Sequence, residues 1–151
     1  MPHLRHILLV EDDPRDVELT LTALAEHRLA NSVIVVRDGA EALDYFYCRN
    51  QFQARQRIQP VVVLLDLKMP KVSGVEVLRT LKGDPRLKEI PVVILTSSRE
   101  TPDLAECYRL GANAYVVKPV DFAGFIGAVK QVGMFWAILN EPPTGAILTD
   151  S

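Results

Sequence analysis

Glu11 and Asp12 follow the apolar run "HILLV" (6–10), and Asp66 follows "VVVLL" (61–65). Thr96 and Ser97 follow "PVVIL" (91–95), and Lys118 follows "AYVV" (114–117). Carboxylates gathered in one place raise one another's pKa unless a cation neutralises them. Mg2+ meets that need, since it takes oxygen ligands from carboxylates and phosphates and keeps several waters; Mn2+ favours the same donors. A carboxylate can also attack phosphorus to form an acyl phosphate. Asp66, alone at the end of its apolar run, is placed to leave a core and act that way. An ammonium such as Lys118 then balances charge spreading over the phosphoryl oxygens, and the Thr96 hydroxyl can serve one of them. The expected chemistry is metal-assisted phosphoryl transfer to Asp66.

For these residues to meet, the runs that precede them must be strands ending at one edge of a sheet. Strand-length runs appear at "HILLV" (6–10), "SVIVVR" (32–37), "VVVLLDL" (61–67), "PVVILTSS" (91–98) and "AYVVK" (114–118). Helical spacing fills the intervals. "PRDVELTLTALAEHRL" places Val17, Leu21 and Leu24 on one face, with Asp13 as N-cap and Pro14 as first helical residue. Asp38 caps a second helix whose inward residues are Ala42, Leu43 and Phe46. "SGVEVLRTLKGDP" gives a third through Val75, Leu78 and Leu81, and "TPDLAECYRLGA" a fourth, capped by Thr101, begun by Pro102 and stopped by Gly111. The polar stretch 49–60 reads as a helix end running into a loop, and an apolar helix begins near Asp121. Five alternations of buried strand and helix imply a doubly wound parallel α/β sheet covered on both faces, the flavodoxin-like (βα)5 arrangement. Ligands bind such sheets outside the carboxyl ends of the strands, which is where Glu11, Asp12, Asp66, Thr96, Ser97 and Lys118 fall. The unit is expected to span 1–140, with 141–151 as a tail.

Composition narrows the function. The 151 residues suit one domain with a full core, and a net charge of -2 argues against binding nucleic acid or acidic membranes. Cys48 and Cys107 are too few for a disulfide framework and show no metal-binding spacing, which fits a reducing cytoplasm. The N-terminal apolar run breaks at Glu11, too soon for a signal peptide. The apolar stretch 122–139 carries Lys130 and Gln131 near its middle and reads as a helix of a soluble protein rather than a membrane span. His3, His6 and His27 share no ligand spacing.

With these motifs in order, the chain resembles a response-regulator receiver domain, the phosphoacceptor module of bacterial two-component signalling. "LLVEDDP", "LLDLKMPKVSG", "ILTSS" and "YVVKP" match that family's acidic, phosphoacceptor, switch and Lys-Pro motifs, across residues 7–119. The resemblance implies that Asp66 accepts a phosphoryl group from the phosphohistidine of a sensor histidine kinase. It implies that Asp12 ligates Mg2+ directly and Glu11 through water, with the Lys68 backbone carbonyl as a further ligand. Lys118 contacts the phosphoryl group, Thr96 turns toward it with Ser97 beside it, and Tyr115 moves inward as Thr96 moves. The Lys118–Pro119 bond is expected to be cis. Length, the 49–60 stretch and "FWAILNEPP" further resemble stand-alone regulators of bacterial phytochrome kinases, which have an apolar C-terminal extension and commonly dimerise.

Plainer readings stand beside these. Asp13 and Asp16 fit simple helix-start acids, and Ser97 could merely end its strand. Tyr115 could be a packed, half-buried aromatic. Phe122, Phe125, Ile126, Val129 and Val132 can account for the core face of the last helix, and Met134, Phe135, Trp136, Ile138 and Leu139 make its end apolar almost all round. A subunit interface that also draws on Phe122 and Phe125 explains this better than a folded-back tail, and a homodimer is expected. Output would come from protein contacts, or from passing the phosphoryl group to another histidine on a phosphotransfer protein. Two rivals remain: a receiver-like interaction module with a dead site, and a haloacid-dehalogenase-type phosphatase. The second needs an Asp two residues after the nucleophile, and that position is Lys68.

Overall fold

The computed structural model describes residues 6–26, 32–97 and 102–131. Its strands are β1 (Ile7–Val10), β2 (Val33–Val36), β3 (Val62–Asp66), β4 (Val92–Thr96) and β5 (Ala114–Val117). Its helices are α1 (Pro14–Ala25), α2 (Gly39–Phe46), α3 (Gly74–Gly83), α4 (Pro102–Leu110) and α5 (Phe122–Gln131). All strand pairs are parallel, in the order β2-β1-β3-β4-β5.

Strand residues alternate between two cores, because successive side chains leave a strand on opposite faces. Leu8, Val10, Val63, Leu65 and Ile94 meet Phe46 of α2, Leu78 and Leu81 of α3, and Leu104 and Cys107 of α4. Ile7, Leu9, Leu64, Val93 and Leu95 meet Val17 and Leu24 of α1 and Phe125 and Val129 of α5. With both faces covered, β3 and β4 can be apolar up to their last residues, Asp66 and Thr96, and every residue in them is buried. Connections from β1 run one way to β2, while β3 lies on its other side. The crevice at that reversal is where a ligand site is expected in such sheets.

The helix starts agree with the side chains that precede them. Asp13 accepts a hydrogen bond from the Arg15 amide at 2.8 Å, Asp38 from Glu41 at 2.7 Å, and Ser73 from Glu76 at 3.3 Å. Each satisfies one of the four donors a helix N-terminus leaves open. Gly111 ends α4 with φ of 112°, a conformation only glycine adopts without strain. The Thr101 cap lies outside the described residues.

On α2, Ala42 and Phe46 are buried and Leu43, half-buried, packs against the same core, as expected; Tyr45 also goes inward, its hydroxyl 2.6 Å from His6 Nε2. The aromatic ring fills more core, and His6 satisfies its polar end. Phe125 was expected at a subunit interface, but it is fully buried between α5 and the sheet, so its surface is spent within the chain. Phe122 is half-buried beside it; Met134, Phe135, Trp136, Ile138 and Leu139 lie outside the described residues, as does the tail.

The polar stretch after α2 forms a short 3-10 turn, Asn50–Phe52, and then a loop ordered by Arg55. Its guanidinium donates to the carbonyls of Tyr45 (2.8 Å), Gln56 (2.6 Å) and Ile58 (3.1 Å) and lies over the Tyr45 ring at 3.9 Å. Among the described residues, no helix is long and apolar enough to cross a membrane.

Candidate functional site

Ladder hydrogen bonds continue one step past the strands and so fix the residues that follow them. The Glu11 amide donates to Val36 O at 3.0 Å, and the Lys118 amide to Thr96 O at 2.7 Å. Asp66 and Thr96 are the last residues of β3 and β4, in register with Leu95 and Val117. Glu11, Asp12, Asp66, Thr96, Ser97, Lys68 and Lys118 therefore line one open cavity of about 370 Å³. Glu11 is fully buried, Asp66 and Thr96 are buried, Asp12 and Lys118 half-buried, and Ser97 and Lys68 exposed.

Gly74 makes the loop after β3 possible. A Cβ there would lie 2.2 Å from the Asp66 carbonyl oxygen and 2.7 Å from Leu67 Cα, while its amide donates to Leu67 O at 3.0 Å. The start of α3 thus rests directly on the backbone of Asp66.

Lys118 ties the carboxylates together. Its Nζ donates to Asp16 Oδ2 at 3.0 Å, to Glu11 Oε1 at 3.2 Å and to Asp66 Oδ1 at 3.2 Å. The Lys118–Pro119 bond is cis, as expected. Burial, with the nearby Asp66 charge second, pushes the Glu11 carboxyl up to about 7. Burial also raises Asp66, although Lys118 acts against it. Burial alone would lower Lys118, but the Asp16 hydrogen bond and the charges of Asp66 and Glu11 more than reverse this, leaving it firmly protonated. One ammonium faces more carboxylate charge than it can neutralise.

That imbalance suits a cation. Glu11, Asp12 and Asp66 each bring one carboxylate oxygen within 4.8 Å of the others. All-oxygen donors of this charge fit a hard divalent ion.

These features of fold and site coincide with one family. A profile of the response regulator receiver domain matches residues 7–130. The chain belongs to that family.

The receiver domain has near relatives of known structure. It is 60% identical to the bacteriophytochrome response regulator AtBRR, covering 93% of this chain and 100% of that one, with a TM-score of 0.83. The bacteriophytochrome response regulator RtBRR is 57% identical, covering 93% and 85%, with a TM-score of 0.82. Response regulator Rcp1 of Synechocystis is 35% identical over 130 residues, 86% of this chain and 87% of its own length. An Rcp1 structure holds Mn2+; it is 32% identical with a TM-score of 0.71, covering 97% and 99%. The receiver domain is thus a phosphoacceptor of two-component signalling, a class that works with histidine kinases, with an acidic cluster of the kind that binds Mg2+ or Mn2+ in its family.

The structure brings together every motif residue expected at the cavity, while Tyr115, expected as a switch aromatic, lies outside it. Tyr115 is half-buried, edge-on to Tyr108 with ring centroids 6.3 Å apart. Asp16 lies in the first turn of α1, as expected of a helix-start acid, but its side chain also accepts from Lys118, which was not anticipated. Acids in a first turn are so common that residue type carries no sign of direction.

Proposed function

We propose that Asp66 takes the phosphoryl group of a sensor histidine kinase's phosphohistidine in a reaction that depends on Mg2+ or Mn2+. The observation that carries this reading is the convergence of Glu11, Asp12 and Lys118 on Asp66, with Lys118 Nζ 3.2 Å from its Oδ1. A carboxylate oxygen of Asp66 forms the new bond to phosphorus. The bond from phosphorus to the histidine nitrogen breaks, and its electron pair returns to the imidazole. Asp12 and Asp66 would hold the ion directly and Glu11 through water, with the Lys68 carbonyl as a further ligand. When bound, the ion neutralises the crowded carboxylates and the phosphoryl oxygens.

Lys118 donates to the transferred group, and Thr96 and Ser97 offer hydroxyls to it. The turn of Thr96 lets Tyr115 move inward, carrying the change to the surface of α4, β5 and α5. Lys68, exposed at the cavity, affects the lifetime of the phosphoryl group through water access. Self-catalysed phosphorylation and dephosphorylation at Asp66 are the extent of its catalysis. A phosphatase role is disfavoured by Lys68 at the position where the haloacid-dehalogenase type carries its acid-base Asp.

Likeness to AtBRR over nearly the whole chain supports a phytochrome-type kinase as the partner. A homodimer built on Met134, Phe135, Trp136, Ile138 and Leu139, with Phe122 at its margin, supplies the output surface, and onward transfer to a phosphotransfer histidine is the alternative output. The test is transfer of label from a radiolabelled bacteriophytochrome kinase. Label is expected on the wild type within minutes and none on Asp66→Asn; label on both sinks the assignment of Asp66.

A further inference from the structure

An ammonium has three donor hydrogens, and Lys118 commits all three to carboxylates. Two of the acceptors, Glu11 and Asp66, belong to the oxygen cluster suited to a divalent ion. Once an ion and a phosphoryl group draw on those oxygens, Lys118 loses partners exactly where it must be held most firmly. Asp16 stands outside that cluster, on the first turn of α1, and makes the shortest of the three contacts at 3.0 Å. It comes from an element other than those that carry Asp66 and Lys118, 102 residues earlier in the chain than its partner. A helix-start role accounts for an acid at this position but not for a side chain aimed at a lysine beyond β5.

We propose that Asp16 is the positioning residue for Lys118, holding its ammonium over Asp66 while Glu11 and Asp66 engage the ion and the phosphoryl group. The proposal rests on the reading of Asp66 as phosphoacceptor. Half-burial of both partners suits the task. A contact of this kind is strong enough to orient a side chain, yet open enough for Lys118 to turn one donor to an arriving phosphoryl oxygen.

The test follows adduct formation with acetyl phosphate at saturating Mg2+ by intact mass. The new bond joins an Asp66 oxygen to phosphorus, and acetate leaves with the electron pair. Asp16→Asn is expected to slow the rate at saturating donor about fivefold or more, a coupling of ordinary size for directly bonded groups. Asp16→Glu is expected to recover part of the rate. In a Lys118→Ala background, Asp16→Asn is expected to change nothing further. A wild-type rate for Asp16→Asn, or an equal slowing with and without Lys118, overturns the proposal. The Lys118 ammonium signal in 15N NMR gives an arm independent of phosphorylation. Asp16→Asn is expected to speed its hydrogen exchange, and unchanged exchange also overturns the proposal. If the wild type takes no adduct while the ammonium responds, the Asp66 reading fails and the Asp16–Lys118 pairing stands.

Discussion

Glu11 shows what the site costs a single residue. Its carboxyl is fully buried, and burial together with Asp66 lifts it from 4.5 to about 7. A carboxyl raised in the fold binds its proton more tightly there than in the unfolded chain. Its contribution therefore favours the metal-free fold more as pH falls from above 7 toward 4.5, and that benefit is lost as pH rises through 7. A metal ion needs the ionised form. Between pH 6 and 8 the apparent Mg2+ affinity should rise about tenfold from this group alone, with proton release on binding below pH 7. Calorimetric titration in buffers of different ionisation enthalpy measures both quantities, and a flat affinity across that range would count against Glu11 as part of the metal site. Residue types and order made Glu11, Asp12, Asp66 and Lys118 legible in the sequence, because each ends an apolar run. The aim of Asp16 was not legible, since its partner lies across the fold.

At the scale of elements, the loop from β3 to α3 is held by close backbone contacts. A Cβ on Gly74 would meet the Asp66 carbonyl at 2.2 Å, and one on Gly39 would meet the Val72 carbonyl at 1.9 Å. Neither obstacle is the free end of a flexible side chain, so an added methyl must move the loop itself. Gly74→Ala should destabilise by about 1–3 kcal/mol, as overpacking does, and should also slow phosphorylation, because Asp66 shares the displaced backbone. Gly83, at the end of the same helix, has nothing within 4 Å of its would-be Cβ. Gly83→Ala should be neutral or stabilise by up to ~1 kcal/mol. Urea unfolding of the pair separates crowding from helix propensity; similar losses for both would contradict the clamp. Helix starts were legible here because Asp13 and Asp38 carry their capping role in their type. The inward turn of Tyr45 was not, since it depends on His6, 39 positions away, pairing with its hydroxyl.

At the scale of the molecule, the parallel order β2-β1-β3-β4-β5 gathers residues as far apart as Glu11 and Lys118, 107 positions, at one edge. Alternation of apolar strands with amphipathic helices was enough to anticipate that architecture, because only a covered parallel sheet buries such strands on both faces. Quaternary structure was harder to read: the same apolar residues serve a core or an interface, and Phe125 proved to be core. If 134–139 pair two copies, light scattering should show a dimer, and Phe135→Asp with Trp136→Asp should give a monomer that still phosphorylates. A monomeric wild type would remove the proposed interface. The central claim, metal-dependent phosphorylation of Asp66, is tested most directly by intact mass after incubation with acetyl phosphate. A single phosphoryl adduct is expected on the wild type with Mg2+, none without Mg2+, and none on Asp66→Asn. An adduct that forms equally without Mg2+, or on Asp66→Asn, would contradict it.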